Sequence, residues 1–461
     1  MKFKYVHQIS PLKVLYTALL LTLFSSTNSS AYDVSTDFVS RSSARLVAGG
    51  SETIYLRGIN FSHDRIVTSD EQWIVGTCTQ LSTYTTTTSV TNWYSETHFQ
   101  SIANIGFNMI RMNLHYRIFE DDSSPGDGTV DSYNTSAWTF IDQYVQWARN
   151  NNLYLVLNLM VPPGGYQPSS GGGSCLWDTA ANQTRLINIW KAIATRYANE
   201  PAIAAYDLLN EPTPTGSTTS VATTKYQTLM QQTADAIRAV DTNHLIIVER
   251  VNWIFNSDGT SPLTNWSSSV LSSLQVSITD SSSNTMYDYH FYDPNQYALQ
   301  NEGSNPNDGN YPDTSVTHTA KDTTSMQRDK TYLEYEMQLE NRSNELMFVG
   351  EWSPNTSTFT TTKGGLTYVQ DVLDILAANS SHWAYYSMFN LYEVSCCDTG
   401  YTCCSGDNTT TVLNQELIDL LSAHFSIVIP TLTEWSVILM ALLFGITAIF
   451  RIRRKTADCS P

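Results

Sequence analysis

Residues 203–212 read Ile-Ala-Ala-Tyr-Asp-Leu-Leu-Asn-Glu-Pro, a short apolar run that ends in three residues of a different character. Apolar residues recur at helical spacing on both sides, from Leu186 to Tyr197 before the run and from Tyr226 to Ile237 after it. A short apolar run between two amphipathic helices is typical of a parallel strand whose two faces are both covered. The segment therefore predicts an α/β protein built from strand–helix units.

Seven further apolar runs are similarly short and are separated by longer stretches, such as the helical pattern from Leu366 to Leu376. The eight candidate strands are Ile54–Ile59, Phe107–Asn113, Leu153–Leu159, Ile203–Leu209, His244–Glu249, Thr285–His290, Leu346–Glu351 and Trp383–Phe389. Eight such units predict one closed (β/α)8 TIM barrel, which leaves no sheet edge unpaired. An open doubly wound sheet is the alternative, but no Gly-x-Gly-x-x-Gly follows an early strand.

Long connections follow the predicted strand ends and are rich in Ser, Thr and Asn, with one Gly-rich loop. They cover 77–91, 163–173, 213–224, 256–269, 294–325 and 353–365. Long βα loops lie on the C-terminal face of a barrel, where active sites are built. We therefore expect a functional cleft at that face of a single catalytic domain spanning 32–427.

The composition excludes some classes of protein and of binding partner. Among 461 residues, 41% are hydrophobic and 15% are charged, so a large core forms and general disorder is excluded. The net charge of −18 argues against nucleic acid, because phosphate would be repelled. Eleven Trp and 26 Tyr suit stacking on sugar rings, although core packing is an equal explanation.

The first 31 residues are typical of a secretory signal peptide. A basic lead is followed by the apolar run Val14–Phe24 and by the small residues Ser29, Ser30 and Ala31. The apolar run is short for a membrane anchor, which is the alternative. We predict that the mature protein begins near Tyr32, outside the cytoplasm.

The segment 428–461 contains a second hydrophobic stretch, Trp435–Phe450, followed by the basic cluster Arg451–Lys455. Basic residues after an apolar stretch stay on the cytoplasmic side, so the body of the protein faces outward. The preceding Ile429–Trp435 resembles the bacterial sorting signal IPTL-CTERM. That resemblance implies processing by an exosortase-like membrane protease, whereas an ordinary tail anchor is the competing interpretation.

Six cysteines lie in the predicted exported body: Cys78, Cys175, Cys396, Cys397, Cys403 and Cys404. Their spacing matches no Cys-x-x-Cys zinc pattern, so disulfide bonds are favoured over a metal site. Six cysteines allow 15 pairings, and the sequence does not choose among them.

Two glutamates carry the chemistry. Glu211 follows the fourth predicted strand within Asn-Glu-Pro, and Glu351 ends the seventh within Gly-Glu-Trp. Both should project from the same face of the barrel, and glycoside hydrolysis requires such a carboxyl pair. A single glutamate at a strand end would more often be a surface carboxylate, but two in these contexts favour the catalytic interpretation.

At these residues the chain resembles glycoside hydrolase family 5, the cellulase family of retaining (β/α)8 enzymes. The motifs are Arg57–Asn60, Gly106–Arg111, Asn210-Glu211-Pro212, His290-Phe291-Tyr292 and Glu351. The resemblance implies that Glu211 is the acid/base and Glu351 the nucleophile. It also implies that Arg111 supports Glu351, that Asn210 binds the sugar 2-hydroxyl, and that His290 and Tyr292 belong to the site. A nearby cation such as Arg111 and a donor such as Tyr292 should lower the pKa of Glu351, and the negative charge of Glu351 should raise the pKa of Glu211.

Two positions depart from the family pattern. Met160 stands where the third strand of the family usually presents a histidine. The family usually places a tryptophan under the sugar on the eighth strand. In this chain Tyr386 takes that place, or Trp383 does if the register of the strand is different. The resemblance implies an endo-acting enzyme on a β-linked polysaccharide such as β-1,4-glucan, with no cofactor and no metal. Mannan, another β-glucan or a glycolipid are alternatives, and an inert carbohydrate-binding surface protein on the same fold is the rival class.

Overall fold

The computed structural model describes residues 32–63, 66–69, 88–90, 93–123, 128–165, 175–257, 263, 268–299, 309–359, 362–391 and 414–425. The predicted signal peptide at 1–31 and the predicted sorting segment at 428–461 lie outside these ranges. Within them, no helix combines the length and the apolar character needed to cross a membrane. Cys175 is buried and disulfide-bonded, and its partner lies outside the described residues, as do the other cysteines.

Eight parallel strands close into a barrel in chain order, which confirms the predicted TIM barrel. The strands are β1 Arg57–Phe61, β2 Met109–His115, β3 Tyr154–Val161, β4 Ile203–Asp207, β5 Leu245–Glu249, β6 Thr285–Phe291, β7 Met347–Trp352 and β8 His382–Tyr385. Every residue of β2, β3, β4, β5 and β6 is buried, because helices cover the outer face and side chains fill the interior.

Amphipathic helices surround the barrel and confirm the periodic patterns read from the sequence. They are α1 Glu96–Ile105, α2 Ala137–Asn150, α3 Ala180–Tyr197, α4 Thr219–Arg238, α5 Ser268–Leu274, α6 Asn295–Ala298, α7 Lys330–Glu340, α8 Gly365–Ala378 and α9 Gln415–Phe425. Side chains cap some of them: Thr218 accepts from the Val221 amide at the start of α4, and Asp329 accepts from the Tyr332 amide at the start of α7.

Short antiparallel strands lie outside the barrel. They are Val39–Ser42, Arg45–Ala48 and Glu52–Ile54 in one sheet, and the pairs Val67–Ser69 with Thr88–Val90, Glu120–Asp121 with Ser132–Tyr133, and Asp313–Thr319 with Ser325–Arg328. Single 3-10 turns occupy Tyr116–Ile118, Thr356–Phe359 and Met388–Leu391. The three-stranded sheet contacts the N-terminal end of the barrel, where Arg41 donates to the carbonyl oxygen of Thr285 at 3.1 Å.

The structure moves some predicted boundaries. The run predicted as Ile54–Ile59 is split, because Ile54 ends the outer sheet and the barrel strand begins at Arg57. The last strand ends at Tyr385 rather than at Phe389. The predicted loop 294–325 contains most of the hairpin formed by Asp313–Thr319 and Ser325–Arg328. Its strands are largely exposed, so they lack the apolar alternation that identifies a strand in sequence.

Candidate active site

Three predicted residues meet at the C-terminal end of the barrel. Glu211 follows β4, His290 lies near the end of β6, and Glu351 lies near the end of β7. One carboxylate oxygen of each glutamate and one ring nitrogen of His290 all lie within 4.8 Å of one another. The structure thus brings together carboxyl groups that are 140 residues apart in the chain.

The Glu351 carboxylate is fixed by hydrogen bonds on both of its oxygens. Arg111 Nη1 donates to Oε1 at 2.9 Å, and the Tyr292 hydroxyl donates to Oε2 at 3.0 Å. His290 Nδ1 lies 3.5 Å from Oε2. With both oxygens held and only 6% of its side chain exposed, Glu351 has one defined orientation.

Glu211 is more open to solvent, with 21% of its side chain exposed. Its Oε1 lies 3.0 Å from His290 Nδ1. Its main chain takes a positive φ of 40°, which is uncommon for a residue with a Cβ, and its amide donates to Glu249 Oε2 at 2.7 Å. The exposure suits a group that exchanges protons with water or with a leaving group.

Arg111 is fully buried and connects the floor of the site. Its guanidinium donates to Asp207 Oδ2 from Nε at 2.9 Å and to Asn210 Oδ1 from Nη2 at 3.0 Å, besides its bond to Glu351. Nη1 also donates to Asn60 Oδ1 at 3.0 Å. The predicted support for Glu351 and the orientation of Asn210 therefore come from one cation.

Burial raises the pKa of Glu351 above the usual glutamate value, so the expected lowering is wrong in direction. Desolvation disfavours the charged form, and the charge of Glu211 acts in the same sense. His290, Arg111 and the Tyr292 hydroxyl lower the pKa, but they only partly offset burial. The neighbours were identified correctly, whereas the depth of the carboxylate in the barrel was not visible in the sequence.

Burial also raises the pKa of Glu211, which is the expected direction. The cause is desolvation rather than the charge of its neighbour, and Arg111 and Arg250 act against it. Desolvation lowers the pKa of His290 to about 3, so the imidazole between the two glutamates is neutral at ordinary pH. A neutral ring can donate through one nitrogen and accept through the other.

Two further carboxyl groups lie beneath the pair. Burial raises the pKa of Glu249 and of Asp288 well above their usual values, and each is raised further by neighbouring carboxylates. Asp288 Oδ1 accepts from the Gly350 amide at 2.7 Å. A Cβ at Gly350 would lie 2.1 Å from Asp288 Oδ2, so the residue before Glu351 must be glycine for this contact.

The residues at which the chain departs from the family pattern, Met160, Trp383 and Tyr386, lie at different depths in the barrel. Met160 is buried near the end of β3, and Tyr386 is half-buried just past β8. Trp383 does not reach the rim: it lies near the N-terminal end of β8 and packs against Phe107 and Phe425. This corrects the prediction for Trp383, because the register assigns it to the core.

Two groups of side chains have donor atoms close enough to hold a metal ion. One is Glu211, His290 and Glu351, and the other is Glu249, Asp288 and His290. In the first group, Arg111 and Tyr292 already donate to both oxygens of Glu351. In the second, the guanidinium of Arg111 lies 3.8 Å from Asp288 Oδ2 and opposes a cation.

The cellulase model (glycosyl hydrolase family 5) matches residues 68–391, which is more than half of the chain. The chain belongs to glycosyl hydrolase family 5. An IPTL-CTERM motif matches residues 429–454, in agreement with the sequence resemblance.

Relatives and solved structures agree with the family. The chain is 30% identical over 159 residues to endoglucanase C of Acetivibrio thermocellus, covering 34% of this chain and 43% of that protein. It is 31% identical over 124 residues to a glucan 1,3-beta-glucosidase of Blumeria graminis, covering 26% and 28% respectively. The match thus spans less than half the length of these curated relatives. Endoglucanase Cel5A of Thermotoga maritima shares the fold with a TM-score of 0.52 and 17% identity, covering 79% of this chain and 96% of that one.

Four polar residues of this family 5 site were not singled out as site residues from the sequence: Asp207, Glu249, Asp288 and Asn113. Asn113 Oδ1 accepts from Arg111 Nη1 at 3.3 Å. All four lie within or at the end of barrel strands in which every residue is buried. A polar residue inside a run that is buried on both faces was the available signal, because such a group requires a partner.

Removing the buried cation should destabilise the family 5 barrel strongly. We expect Arg111→Met to lower the free energy of unfolding by about 3–5 kcal/mol, because Asp207 and Glu351 remain buried without their partner. The matched control is Arg196→Met, whose ion pair with Asp142 is more than 40% exposed on both sides and should cost under about 1 kcal/mol. Urea unfolding of both variants measures the difference, and equal losses would contradict this role of Arg111.

Proposed function

We propose that the chain is a retaining glycoside hydrolase that cleaves a β-linked polysaccharide by a two-glutamate double displacement. The observation that carries the proposal is the pair of carboxylate oxygens of Glu211 and Glu351 within 4.8 Å of each other. Retaining glycosidases place their carboxyl groups about 5–5.5 Å apart, whereas inverting ones leave about 6.5–9.5 Å for a water molecule. The short separation favours direct attack by one carboxylate.

Glu351 is proposed as the nucleophile. Its oxygens are oriented by Arg111 and Tyr292, and these two donors favour its ionised form against the effect of burial. Attack on the anomeric carbon forms a covalent glycosyl–Glu351 ester as the bond to the leaving oxygen breaks. The hydrogen bonds that hold Glu351 keep it near the anomeric carbon without a cost in orientation at the moment of reaction.

Glu211 is proposed as the acid/base. Burial raises its pKa, which favours the protonated form that must donate to the leaving oxygen. After departure, the same carboxylate takes a proton from the water that hydrolyses the ester. Its greater exposure supports this second role. Asn210, oriented by Arg111, is proposed to hydrogen-bond the sugar 2-hydroxyl, and Tyr386 to line the site.

A β-1,4-glucan cut within the chain is the proposed substrate. Curated relatives named endoglucanase support it, and long loops after the strands suit an open cleft. Relatives named glucan 1,3-beta-glucosidase and beta-xylosidase keep other β-glycans as alternatives. The rival is an inert carbohydrate-binding protein, and the assembled set of Glu211, Glu351, Arg111, His290 and Tyr292 argues against it.

Neutralising either glutamate should abolish hydrolysis. In Glu211→Gln and Glu351→Gln we expect kcat/KM on a responsive glucan to fall by at least about 10²–10⁴, because one proton donor or the nucleophile is lost. Glu334→Gln, on the exposed face of α7, is the matched control and should keep wild-type activity.

The assay begins with a panel of β-glucans and mannans, and proton NMR of the first product reports its anomer. A β-anomer is expected. An α-anomer would refute the double displacement, and glycan binding without cleavage by the wild-type chain would favour the rival class.

Tyr292→Phe should move the acidic limb of the pH profile of kcat/KM to higher pH. Glu351 must be ionised, its pKa is already raised by burial, and the Tyr292 hydroxyl is one of the groups that lower it. Losing that donor raises the pKa further, so activity disappears earlier as the pH falls. Tyr197→Phe, which removes a hydroxyl–carboxylate bond to Asp142 on the outer helices, should leave the limb unchanged. A shift of equal size in both variants would contradict the assignment.

We also propose that the protein is exported and processed at its C-terminal end by an exosortase-like membrane protease. The IPTL-CTERM match at 429–454 and the basic cluster Arg451–Lys455 support this. The hydrophobic stretch Trp435–Phe450, which precedes the basic cluster, would hold the chain in the membrane at least until cleavage.

The sorting proposal predicts a change of location on truncation. A chain ending before Ile429 should appear free in the culture medium, whereas the full chain should remain with the cell surface. Fractionation followed by immunoblotting with an antibody to the barrel measures the distribution. An Arg451–Lys455 cluster changed to glutamine is the second variant. Identical fractions for all three chains would remove the sorting role from the C-terminal segment.

A further inference from the structure

We propose that Glu249 is a positioning residue for Glu211: its carboxyl holds the acid/base in place by accepting a hydrogen bond from the Glu211 main chain. The inference rests on the proposed function of Glu211. The contact that carries it is the 2.7 Å bond from the Glu211 amide to Glu249 Oε2, formed by a residue that is 1% exposed.

Glu211 needs such a support because it lies beyond the sheet. The ladder between β4 and β5 ends at the pairing of Asp207 with Ile247, and the Leu208 amide still reaches the Ile247 carbonyl oxygen at 3.1 Å. Past that point the chain turns, and Glu211 adopts its positive φ of 40°. A conformation of this kind persists in a residue with a Cβ when the surroundings hold it.

The main-chain groups of the two neighbouring residues are paired with other main-chain groups. The Asn210 amide donates to the Leu159 carbonyl oxygen at 3.1 Å, and the Pro212 carbonyl oxygen accepts from the Asn252 amide at 2.8 Å. Between these two bonds, the Glu211 amide is directed at a side chain. At this point β5 no longer offers a main-chain acceptor beside β4, so the Glu211 amide forms its hydrogen bond with a side chain instead.

Glu249 is itself fixed by its place in the barrel and by a hydrogen bond. It is the last residue of β5, and its carbonyl oxygen accepts from the buried Tyr226 hydroxyl at 2.6 Å. Its Oε2 also lies 3.6 Å from His290 Nε2, and the other nitrogen of that ring lies 3.0 Å from Glu211 Oε1. Glu249 therefore adjoins both the main chain of Glu211 and the ring that touches its carboxyl group.

Three substitutions separate this role from general support of the fold. Glu249→Met keeps the length and removes the acceptor, Glu249→Gln keeps an acceptor oxygen, and Glu249→Asp withdraws it by one methylene. The substrates are phenyl β-cellobioside, whose phenol needs a proton to leave, and 2,4-dinitrophenyl β-cellobioside, whose phenolate leaves without one. The ratio of the two kcat/KM values reports proton donation by Glu211.

For Glu249→Met we expect kcat/KM on the phenyl glycoside to fall by about tenfold or more, and on the dinitrophenyl glycoside by less than about threefold. Glu249→Gln should keep most of the wild-type kcat/KM on the phenyl glycoside, because it retains an acceptor oxygen. If Glu249→Met fails to fold, Glu249→Asp should show the same selective loss. Equal losses on both substrates, or no loss on either, would overturn the proposal.

A second measurement needs no turnover. Hydrogen exchange of the Glu211 amide should be slow in the wild-type chain and in Glu249→Gln, and fast in Glu249→Met or Glu249→Asp. Unchanged protection in the methionine and aspartate variants would overturn the proposal. A wild-type chain that cleaves neither glycoside would contradict the proposed function instead, and the exchange measurement would still decide the role of Glu249.

Discussion

The site depends on a guanidinium placed where water does not reach. Arg111 is fully buried inside the barrel, and a charge in that position is stable only when it is paired and hydrogen-bonded. Asp207 on β4 and Glu351 on β7 supply the charges, while Asn60 and Asn210 satisfy remaining donors. The relative positions of four barrel strands are thereby linked to one side chain, and the same contacts orient Glu351, the proposed nucleophile.

The same burial sets the proton content of the site. Asp207, Glu249, Asp288, Glu211 and Glu351 all have raised pKa values, and desolvation is the largest cause for each. Burial thus favours the uncharged form of each of these carboxyl groups, and the charge of Arg111 opposes this effect. What distinguishes Glu211 from Glu351 is then less their pKa than their surroundings: one is partly exposed, whereas the other is held on both oxygens.

The fold was readable from the sequence because eight buried strands leave eight apolar runs, and the two glutamates were readable because each stands where such a run stops. The outer sheet from Val39 to Ile54 escaped prediction, since its strands are short and only partly buried. The direction of the Glu351 pKa shift also escaped, because the sequence names the neighbours of a group but does not give its depth.

The remaining errors have a similar origin. Glu249 and Asp288 were not predicted as site residues, because each is a single polar residue in a mainly apolar run and the sequence does not show which groups it contacts. On the eighth strand, Trp383 and Tyr386 are three residues apart, and the pattern alone did not fix which of them reaches the rim. The pairing of Trp383 with Arg57, near the beginning of β1, decides that question against Trp383.

The last helix of the described residues, α9, bears on the proposal that the chain is anchored through its C-terminal segment. Phe425 packs against Phe107 and Trp383, and the His424 carbonyl oxygen accepts from Arg57, so α9 ends at the N-terminal side of the barrel. The two glutamates open on the opposite side. On the proposal that the C-terminal segment anchors the chain, the point of attachment after Phe425 lies on the side of the barrel opposite the two glutamates, which leaves the candidate cleft accessible from outside.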